Sequence, residues 1–247
     1  MKSHSIVMLR RNFKHITRNP MSVFNAILMP VVVMLMFVYM FGDAFSVGVN
    51  YVDYATPGLM LLAVCYGLGA TAIAVNSDMT KGIINRFKVM DVSRGAVLTG
   101  HVVASVLTNL VAIAALLGVA FLLGFAPAAG FLGWLGALGV VVLLGFATGW
   151  LTIALGLAAK TPETAGMASV PLIMLPFFSS AIVPADKMGP GLKQFAEYQP
   201  FTPIIETLRG LLNGTPATGT LLAALGWCAG IAVVGYLWAS STFKKRA

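Results

Sequence analysis

Six long apolar runs without a single Asp, Glu, Lys or Arg are the feature that most constrains how this chain can fold. Each has about the 20 residues that an α-helix needs to cross the hydrocarbon core of a bilayer, which is roughly 30 Å thick. We therefore predict an all-α integral membrane protein with six transmembrane helices, over residues 23–41, 55–75, 97–123, 131–158, 165–183 and 220–240.

The composition agrees with a membrane protein and leaves room for one domain. Hydrophobic residues make up 58% of the 247 positions and charged residues only 10%, whereas about a quarter of the residues in soluble domains are charged. The mean hydropathy is +0.89. No polar stretch between the runs is long enough to fold as a soluble domain, so we expect residues 1–247 to form a single transmembrane domain.

The net charge of +8, from 16 basic and 8 acidic residues, predicts the orientation. The basic residues fall in short connections between the apolar runs, which is typical of topology determinants and argues against a nucleic-acid partner. With an even number of spans, thirteen basic residues lie on the side of the termini and three, Lys187, Lys193 and Arg209, on the other. The positive-inside rule therefore predicts that both termini are cytoplasmic.

The segment before the first span has the pattern of a basic amphipathic helix. Apolar residues recur at a helical spacing at positions 6, 9, 13 and 16, and the opposite arc carries Arg10, Arg11, Lys14 and Arg18. Phe13 is the aromatic residue of the apolar stripe. Such a helix would lie at the cytoplasmic membrane surface. The alternative is a disordered basic tail that only enforces the orientation.

A second short helix is predicted in the outer segment between spans five and six. Thr202-Pro203 is a good helix start and Asn213-Gly214 a good stop. Between them, Glu206 and Arg209 can pair, because they are three residues apart on the face opposite an apolar stripe. A helix of this length is too short to span a bilayer, so it should lie in the outer interface or re-enter part-way.

Spans four to six carry residues that would shape their packing. Pro171 and Pro176 should kink or break span five, either as a packing bend or because the helix lines a moving pathway. Candidate pathway residues are Asn25, Phe177, Phe178 and Ser179, although membrane Phe side chains are usually packing residues. The repeats Gly145-x-x-x-Gly149 and Gly226-x-x-x-Gly230 permit close helix contact, within the chain or, as the alternative, with a second copy.

The chain lacks the motifs of an enzyme that drives its own transport. It has no P-loop Gly-Lys-Ser/Thr, no metalloprotease or serine-hydrolase motif and no metal-type cluster. We interpret Cys65 and Cys228 as packing residues and His101 as a polar anchor. Because every Asp, Glu, Lys and Arg falls in a connection or at a span end, nothing resembles an ion relay, and energy for uphill transport must come from outside the chain.

The connection between spans two and three, residues 76–100, is where that energy would enter. It reads NSDMTKGIINRFKVMDVSRGAVLTG. Its apolar residues Met79, Ile83, Phe87 and Met90 share a helical face, which a loop that only obeys the positive-inside rule would not need. A short amphipathic helix that docks into a groove on a partner would need both the face and the charges.

This connection resembles the first cytoplasmic loop of type 2 ATP-binding-cassette exporter permeases, especially daunorubicin-resistance-like membrane subunits. The family pattern of an acidic residue, Gly, R-x-K, P-x-S-R and L-x-G-K is matched at Asp78, Gly82, Arg86, Lys88, Ser93, Arg94, Leu98 and Gly100. Asp91 stands where Pro is usual and His101 where Lys is usual. A second match, QPFTPIIETLRGLLNG at 199–214, resembles the family's outer segment, with Gln199 in place of Asn.

The resemblance implies a function and a set of partners. The chain would be the membrane subunit of an ATP-driven exporter in a bacterial plasma membrane, moving an amphipathic drug, a lipid or a lipid-linked cargo. It would pair with a second permease subunit, expected to be identical, and with two ATPase subunits that hold ATP and magnesium, while this chain holds no cofactor. The alternatives are a channel or scaffold, and an ion-coupled secondary carrier.

The resemblance also implies where the ATPase acts. Contact would be made by a coupling helix, which contains Asp78, Gly82, Ile83, Arg86, Phe87, Lys88 and Arg94. The N-terminal interfacial helix, through Arg10, Arg11, Phe13 and Lys14, would help to grip the ATPase.

Overall fold

The structure is a computed structural model that describes residues 20–42, 50–80 and 94–246. Helices make up most of this part of the chain, and no strand occurs in it. The α-helices are α1 (Pro20–Phe41), α2 (Tyr51–Thr80), α3 (Arg94–Leu122), α4 (Phe131–Ala158), α5 (Pro162–Met174), α6 (Leu192–Tyr198), α7 (Phe201–Leu212) and α8 (Thr218–Arg246). Two short 3-10 helices, Leu175–Phe178 and Ala185–Lys187, lie between α5 and α6.

Four helices in the described part are long and apolar enough to cross a membrane. They cover Tyr51–Thr80, Leu98–Leu122, Phe131–Ala158 and Thr218–Lys245, which confirms the predicted spans two, three, four and six as apolar helices. The first predicted span corresponds to α1, whose apolar stretch is Ile27–Met40 within the described side chains. The six-span arrangement and the side on which the termini lie stay predictions.

The fifth predicted span is broken, as its prolines indicate. Thr161 begins α5 with a capping box, in which its hydroxyl accepts from the Thr164 N–H and the Thr164 hydroxyl accepts from the Thr161 N–H. Glu163 follows in the first turn, where its own backbone N–H and the Thr161 side chain lower the pKa of its carboxyl. The α-helix ends at Met174 and continues as the 3-10 helix around Pro176. At 13 residues, α5 is about 20 Å long, shorter than the hydrocarbon core.

Helix α2 lies at the centre of the bundle. It packs against α1, α3, α4, α5 and α7, and it is buried along most of its length. Helix α8 lies at the edge, packed on α4 and α7, and Leu222, Val233, Val234 and Leu237 on it are exposed. An apolar surface of this kind suits contact with lipid tails. Cys65 and Cys228 are buried and unbonded, which confirms them as packing residues.

Only one of the two small-residue repeats packs within the chain. A Cβ atom at Gly149 would lie 3.3 Å from the Val102 side chain, and one at Gly145 would lie 3.4 Å from that of Val106, so these glycines bring α4 close to α3. At Gly226 and Gly230 no atom of the described chain lies within 4 Å of such a Cβ. Packing within the chain is therefore wrong for that pair, because α8 turns a different face to α4.

The two ends of α2 define the two ends of the bundle. We call the end at which α2 begins the Arg209 end, because α7 packs there, and the other the Asp78 end, where α2 stops. Along α2, Tyr54 and Asp78 are 24 residues apart, or about 36 Å at 1.5 Å per residue. The Asp78 end has a small apolar cluster of its own, which includes Val75, Val102 and Trp150.

Candidate functional site

The charged residues of α7 take part in a polar network at the Arg209 end. Helix α7 covers Phe201–Leu212, close to the predicted bounds, and the chain turns away from it at Gly214, whose φ of 73° suits glycine. Ile204, Ile205, Leu208 and Leu212 are buried, which confirms the predicted apolar face. This packing directs Glu206 and Arg209 toward the start of α2 and the segment after α5.

Arg209 is the centre of this network, which we call the Arg209 network and which comprises Tyr54, Ser180, Glu206 and Arg209. The Arg209 guanidinium forms an ion pair with Glu206, as predicted. It also donates to the Tyr54 carbonyl at 3.1 and 3.3 Å and to the Ser180 carbonyl at 3.0 Å. The guanidinium carbon, Cζ, lies 3.8 Å from the centroid of the Tyr54 ring, within the range of a cation–π contact.

The remaining groups of the network satisfy one another. The Tyr54 hydroxyl donates to the Ser180 carbonyl at 2.9 Å, and the Ser180 hydroxyl donates to a Glu206 carboxylate oxygen at 2.8 Å. The Arg209 side chain is 11% exposed and that of Glu206 is 37% exposed. A charge as sheltered as that of Arg209 is stable only when paired and hydrogen-bonded, so the network fixes α7 to the start of α2.

The predicted pathway residues of span five lie beside this network but in three different environments. Phe177 is half-buried against the main core. Phe178 is exposed and makes an edge contact with Phe195, 6.5 Å between ring centroids. Ser179 is buried, and its hydroxyl donates back to the Pro176 carbonyl. The structure therefore does not bring the three side chains together, and their role in a pathway stays a prediction.

At the Asp78 end, Asp78 lies against His101. The His101 Nε2 atom is 3.3 Å from an Asp78 carboxylate oxygen, and the two side chains are 11% and 16% exposed, respectively. Asp78 is in the last turn of α2, and His101 lies two turns into α3. The contact thus joins the helices on either side of the predicted coupling segment. His101, interpreted as a polar anchor, is also the partner of a predicted coupling residue.

Asn76 joins the same end of α2 to another helix. Its amide nitrogen donates to the carbonyls of Gly156 and Ala159, at 3.0 and 2.8 Å. These carbonyls belong to the last turn and the C-cap of α4, which have no partner within their own helix. Asn76 therefore caps α4. The sequence pattern does not predict this contact: its only local signal is an Asn directly after the predicted span 55–75.

Neutral polar side chains lie between the helices in the middle of the bundle. The Thr71 hydroxyl donates to that of Ser105 at 3.2 Å. Asn109 is buried, and a Cβ at Gly67 would lie 2.4 Å from its side-chain oxygen, so Gly67 makes the room for it. The polar residues that are buried in the described part are all uncharged. In the same part, no three His, Cys, Asp or Glu side chains are grouped to hold a metal ion.

Several predicted site residues lie outside the described residues. These are the coupling-segment residues Gly82, Ile83, Arg86, Phe87 and Lys88 and the N-terminal residues Arg10, Arg11, Phe13 and Lys14. Asn25 and Arg94 belong to α1 and α3, but their side chains are outside the described part. The roles predicted for all of these residues stay predictions.

Comparison with known proteins bears on most of the chain. The family model described as "ABC-2 type transporter" matches residues 4–213. The chain is 32% identical over 205 residues to the daunorubicin resistance ABC transporter permease protein DrrB1 of Streptomyces coeruleorubidus, covering 82% of this chain and 71% of the relative. It is 27% identical over 240 residues to the "Probable doxorubicin resistance ABC transporter permease protein DrrC" of Mycobacterium tuberculosis, covering 94% of this chain and 85% of the relative.

Proposed function

Because this chain belongs to the ABC-2 type transporter family, we propose that it is the membrane-spanning subunit that carries an amphipathic drug, lipid or lipid-linked cargo out of a bacterial cytoplasm. Energy would come from two copies of a separate ATP-binding-cassette ATPase, which hold the ATP and magnesium. A second permease subunit, identical to this one, would complete the pathway. Drug cargo is favoured because the names of both relatives refer to drug resistance.

One observation about the structure carries the choice of an external energy source. Helices α2, α3 and α4 enclose four neutral polar side chains, which are buried or partly buried: Thr71, Ser105, Asn109 and Thr148. These side chains cannot carry a proton or balance the charge of a bound ion. A secondary carrier places ionisable groups at such positions. In the described part of α2, α3, α4 and α8, every Asp, Glu, Lys and Arg lies in a first or last turn, and His101, two turns into α3, contacts Asp78 near that same helix end. The ion-coupled carrier is therefore the weaker alternative.

The proposed topology places the Asp78 end in the cytoplasm. The six spans would be α1, α2, α3, α4, the broken α5 with its 3-10 extension, and α8, and the charge distribution supports the placement of both termini inside. The segment 81–93 would then face the ATPase as the coupling segment, and the N-terminal interfacial helix would lie beside it. The Arg209 end, with α6 and α7, would lie at the outer surface, where short helices can sit in the interface or re-enter the bilayer.

The test is transport by a defined complex. The chain is expressed with and without a candidate ATPase, such as one encoded by a neighbouring gene, and reconstituted in liposomes with daunorubicin as the probe. We expect daunorubicin movement only when both subunits and hydrolysable ATP are present. Daunorubicin accumulation by the lone chain under a proton or sodium gradient would favour the secondary carrier. ATP-independent leakage through the lone chain would favour a channel.

A further inference from the structure

The Asp78–His101 contact lies between the two helices that flank the proposed coupling segment. Helix α2 ends at Thr80 and α3 begins at Arg94, so the proposed coupling segment leaves one helix and returns through the other. The 3.3 Å contact between Asp78 and His101 joins the two helices above that segment. The first two turns of α3, about 10 Å of helix, thus lie on the segment side of the contact.

The Asp78–His101 contact is sheltered and lies beside an apolar cluster, unlike an ion pair on an exposed surface. Both side chains are mostly sheltered, so water competes less for their contact than it does for the contact of an exposed pair. The adjacent apolar cluster packs Val75 of α2 with Leu98 and Val102 of α3. A polar contact beside such a cluster helps to fix the register of two helices, because a shift of one helix along the other would separate the two side chains in a sheltered place.

The same turn of α2 is also fixed on another side. Asn76 donates to the Gly156 and Ala159 carbonyls of α4 and its C-cap. Residues two apart on a helix point to different sides, so Asn76 and Asp78 join α2 to different neighbours. A Cβ at Gly156 would lie 2.7 Å from the Ala72 carbonyl oxygen, which shows that α4 approaches α2 closely here. A displacement of the end of α2 would therefore be shared with both α3 and α4.

We infer that the Asp78–His101 contact is a clamp that makes α2 and α3 move as one body when a partner acts on the segment between them. This inference rests on the proposed function, in which that partner is the ATPase. Asp78 and His101 are positioning residues: they need not touch the ATPase, and their work is to convert its motion into motion of the spans. Without the clamp, a movement of the coupling segment would not be passed on to α2 and α3. Less cargo would then be transported for each ATP hydrolysed.

The test compares ATPase binding with the stoichiometry of transport. The permease–ATPase complex is purified with Asp78→Asn or His101→Leu and reconstituted in liposomes with daunorubicin as the probe. We expect the ATPase to copurify as with the wild type, while the ATP hydrolysed per daunorubicin moved rises about fivefold or more, the size of an ordinary coupling between two sites. Loss of stability alone would reduce the amount of complex but would not change this ratio.

Two further variants and a control distinguish loss of the Asp78–His101 contact from a general effect of substitution at this end of the bundle. The double variant Asp78→His with His101→Asp, which restores the pair in reverse, should return the ratio to near the wild-type value. His101→Lys, which keeps a basic partner for Asp78, should also retain coupling and serves if His101→Leu fails to accumulate. Glu163→Gln removes an exposed carboxylate at the same end of the bundle and should leave the ratio unchanged.

The outcomes separate the clamp from the proposed function. If the wild-type complex moves daunorubicin with ATP while Asp78→Asn and His101→Leu keep the wild-type ratio, the clamp is wrong and the proposed function stands. The clamp is equally wrong if the well-expressed reversed pair, or His101→Lys, is as uncoupled as the single variants. If the wild type binds no ATPase or moves nothing with ATP, both proposals fall together.

Discussion

The guanidinium carbon of Arg209 lies 3.8 Å from the centre of the Tyr54 ring, so residues separated by 155 positions form one contact at the Arg209 end. The ring covers one side of the cation, and the carbonyls of Tyr54 and Ser180 accept its N–H groups. Glu206 balances the charge. Helix α7 is thereby fixed to the start of α2, the central helix, although the two share no neighbouring sequence.

The first prediction concerns the stability that the Arg209 network supplies. Arg209→Ala should lower the free energy of unfolding by about 2–3 kcal/mol, below the 3–5 kcal/mol of a fully buried pair because Glu206 is partly exposed. Arg209→Lys should recover little, since an ammonium cannot make the same forked contacts over a ring. Thermal unfolding of the detergent-solubilised protein measures the change.

A matched control is available in α6. Lys193 and Glu197 form an exposed pair at 3.8 Å, and Lys193→Ala should change the stability by less than about 0.5 kcal/mol. If Arg209→Ala shifts the unfolding temperature no more than Lys193→Ala does, the Arg209 network does not hold α7 in place.

The second prediction tests the close approach of α2 to the segment after α5. A Cβ at Gly58 would lie 2.5 Å from the Cα and carbonyl oxygen of Ala181, which are backbone atoms that cannot rotate away. Gly58→Ala should therefore destabilise the protein by about 1–3 kcal/mol, as overpacking does. Gly118→Ala, in a helix and with no atom within 4 Å of its Cβ, should be neutral or stabilising by up to about 1 kcal/mol. Equal unfolding temperatures for the two variants would contradict the packing described here.

The third prediction separates the glycines of α8. A Cβ at Gly235 would lie 2.5 Å from the Leu151 nitrogen of α4, whereas one at Gly226 would meet nothing within 4 Å. Gly235→Ala should destabilise the protein by about 1–3 kcal/mol through the same overpacking, and Gly226→Ala should not. The measurement is thermal unfolding of each variant at equal protein concentration. A larger loss for Gly226→Ala would mean that α8 packs on α4 through its small-residue repeat after all.

Local patterns predicted helices better than they predicted contacts. The Thr202-Pro203 start and the Asn213-Gly214 stop predicted a helix whose observed bounds are Phe201–Leu212, because start and stop signals act within a turn of the helix end. The contact of Arg209 with Tyr54 has no such signal. It depends on how α2 and α7 pack, and the sequence pattern gave only the nearby Glu206 as a partner.

The small-residue repeats show the same limit. Both repeats permit close approach, but which face meets a neighbour is decided by the whole bundle. Gly149 faces α3, and Gly235, which lies outside either repeat, makes the close contact of α8. At the Asp78 end, the sequence pattern singles out both Asp78 and His101, and only the packing of α2 on α3 shows that they meet.

The fourth prediction tests the topology. The excess of basic residues on one side predicts that Lys193 is outside the cytoplasm, whereas Arg94 and Arg246 are inside. Reporter fusions that are active only on one side of the membrane should give opposite signals after Lys193 and after Arg94 or Arg246. A cytoplasmic signal after Lys193 would rule out six spans with both ends inside and would reverse the assignment of the Arg209 end.

The fifth prediction concerns the proposed coupling segment and the ATPase. Phe87 is the bulkiest apolar residue on the stripe of residues 76–100, and a docked aromatic residue is the usual kind of anchor at a protein interface. Phe87→Ala should weaken ATPase binding by about 2 kcal/mol, which is roughly a 30-fold rise in Kd. Membrane insertion should stay normal, because Phe87 lies outside the apolar runs.

The control is Lys81→Ala, which removes one charge from the same segment and should weaken ATPase binding by less than about 1 kcal/mol. Pull-downs with the ATPase, paired with daunorubicin export by both variants, measure the difference. Full binding and full export by Phe87→Ala would show that the segment only orients the chain in the membrane and that the ATPase docks elsewhere.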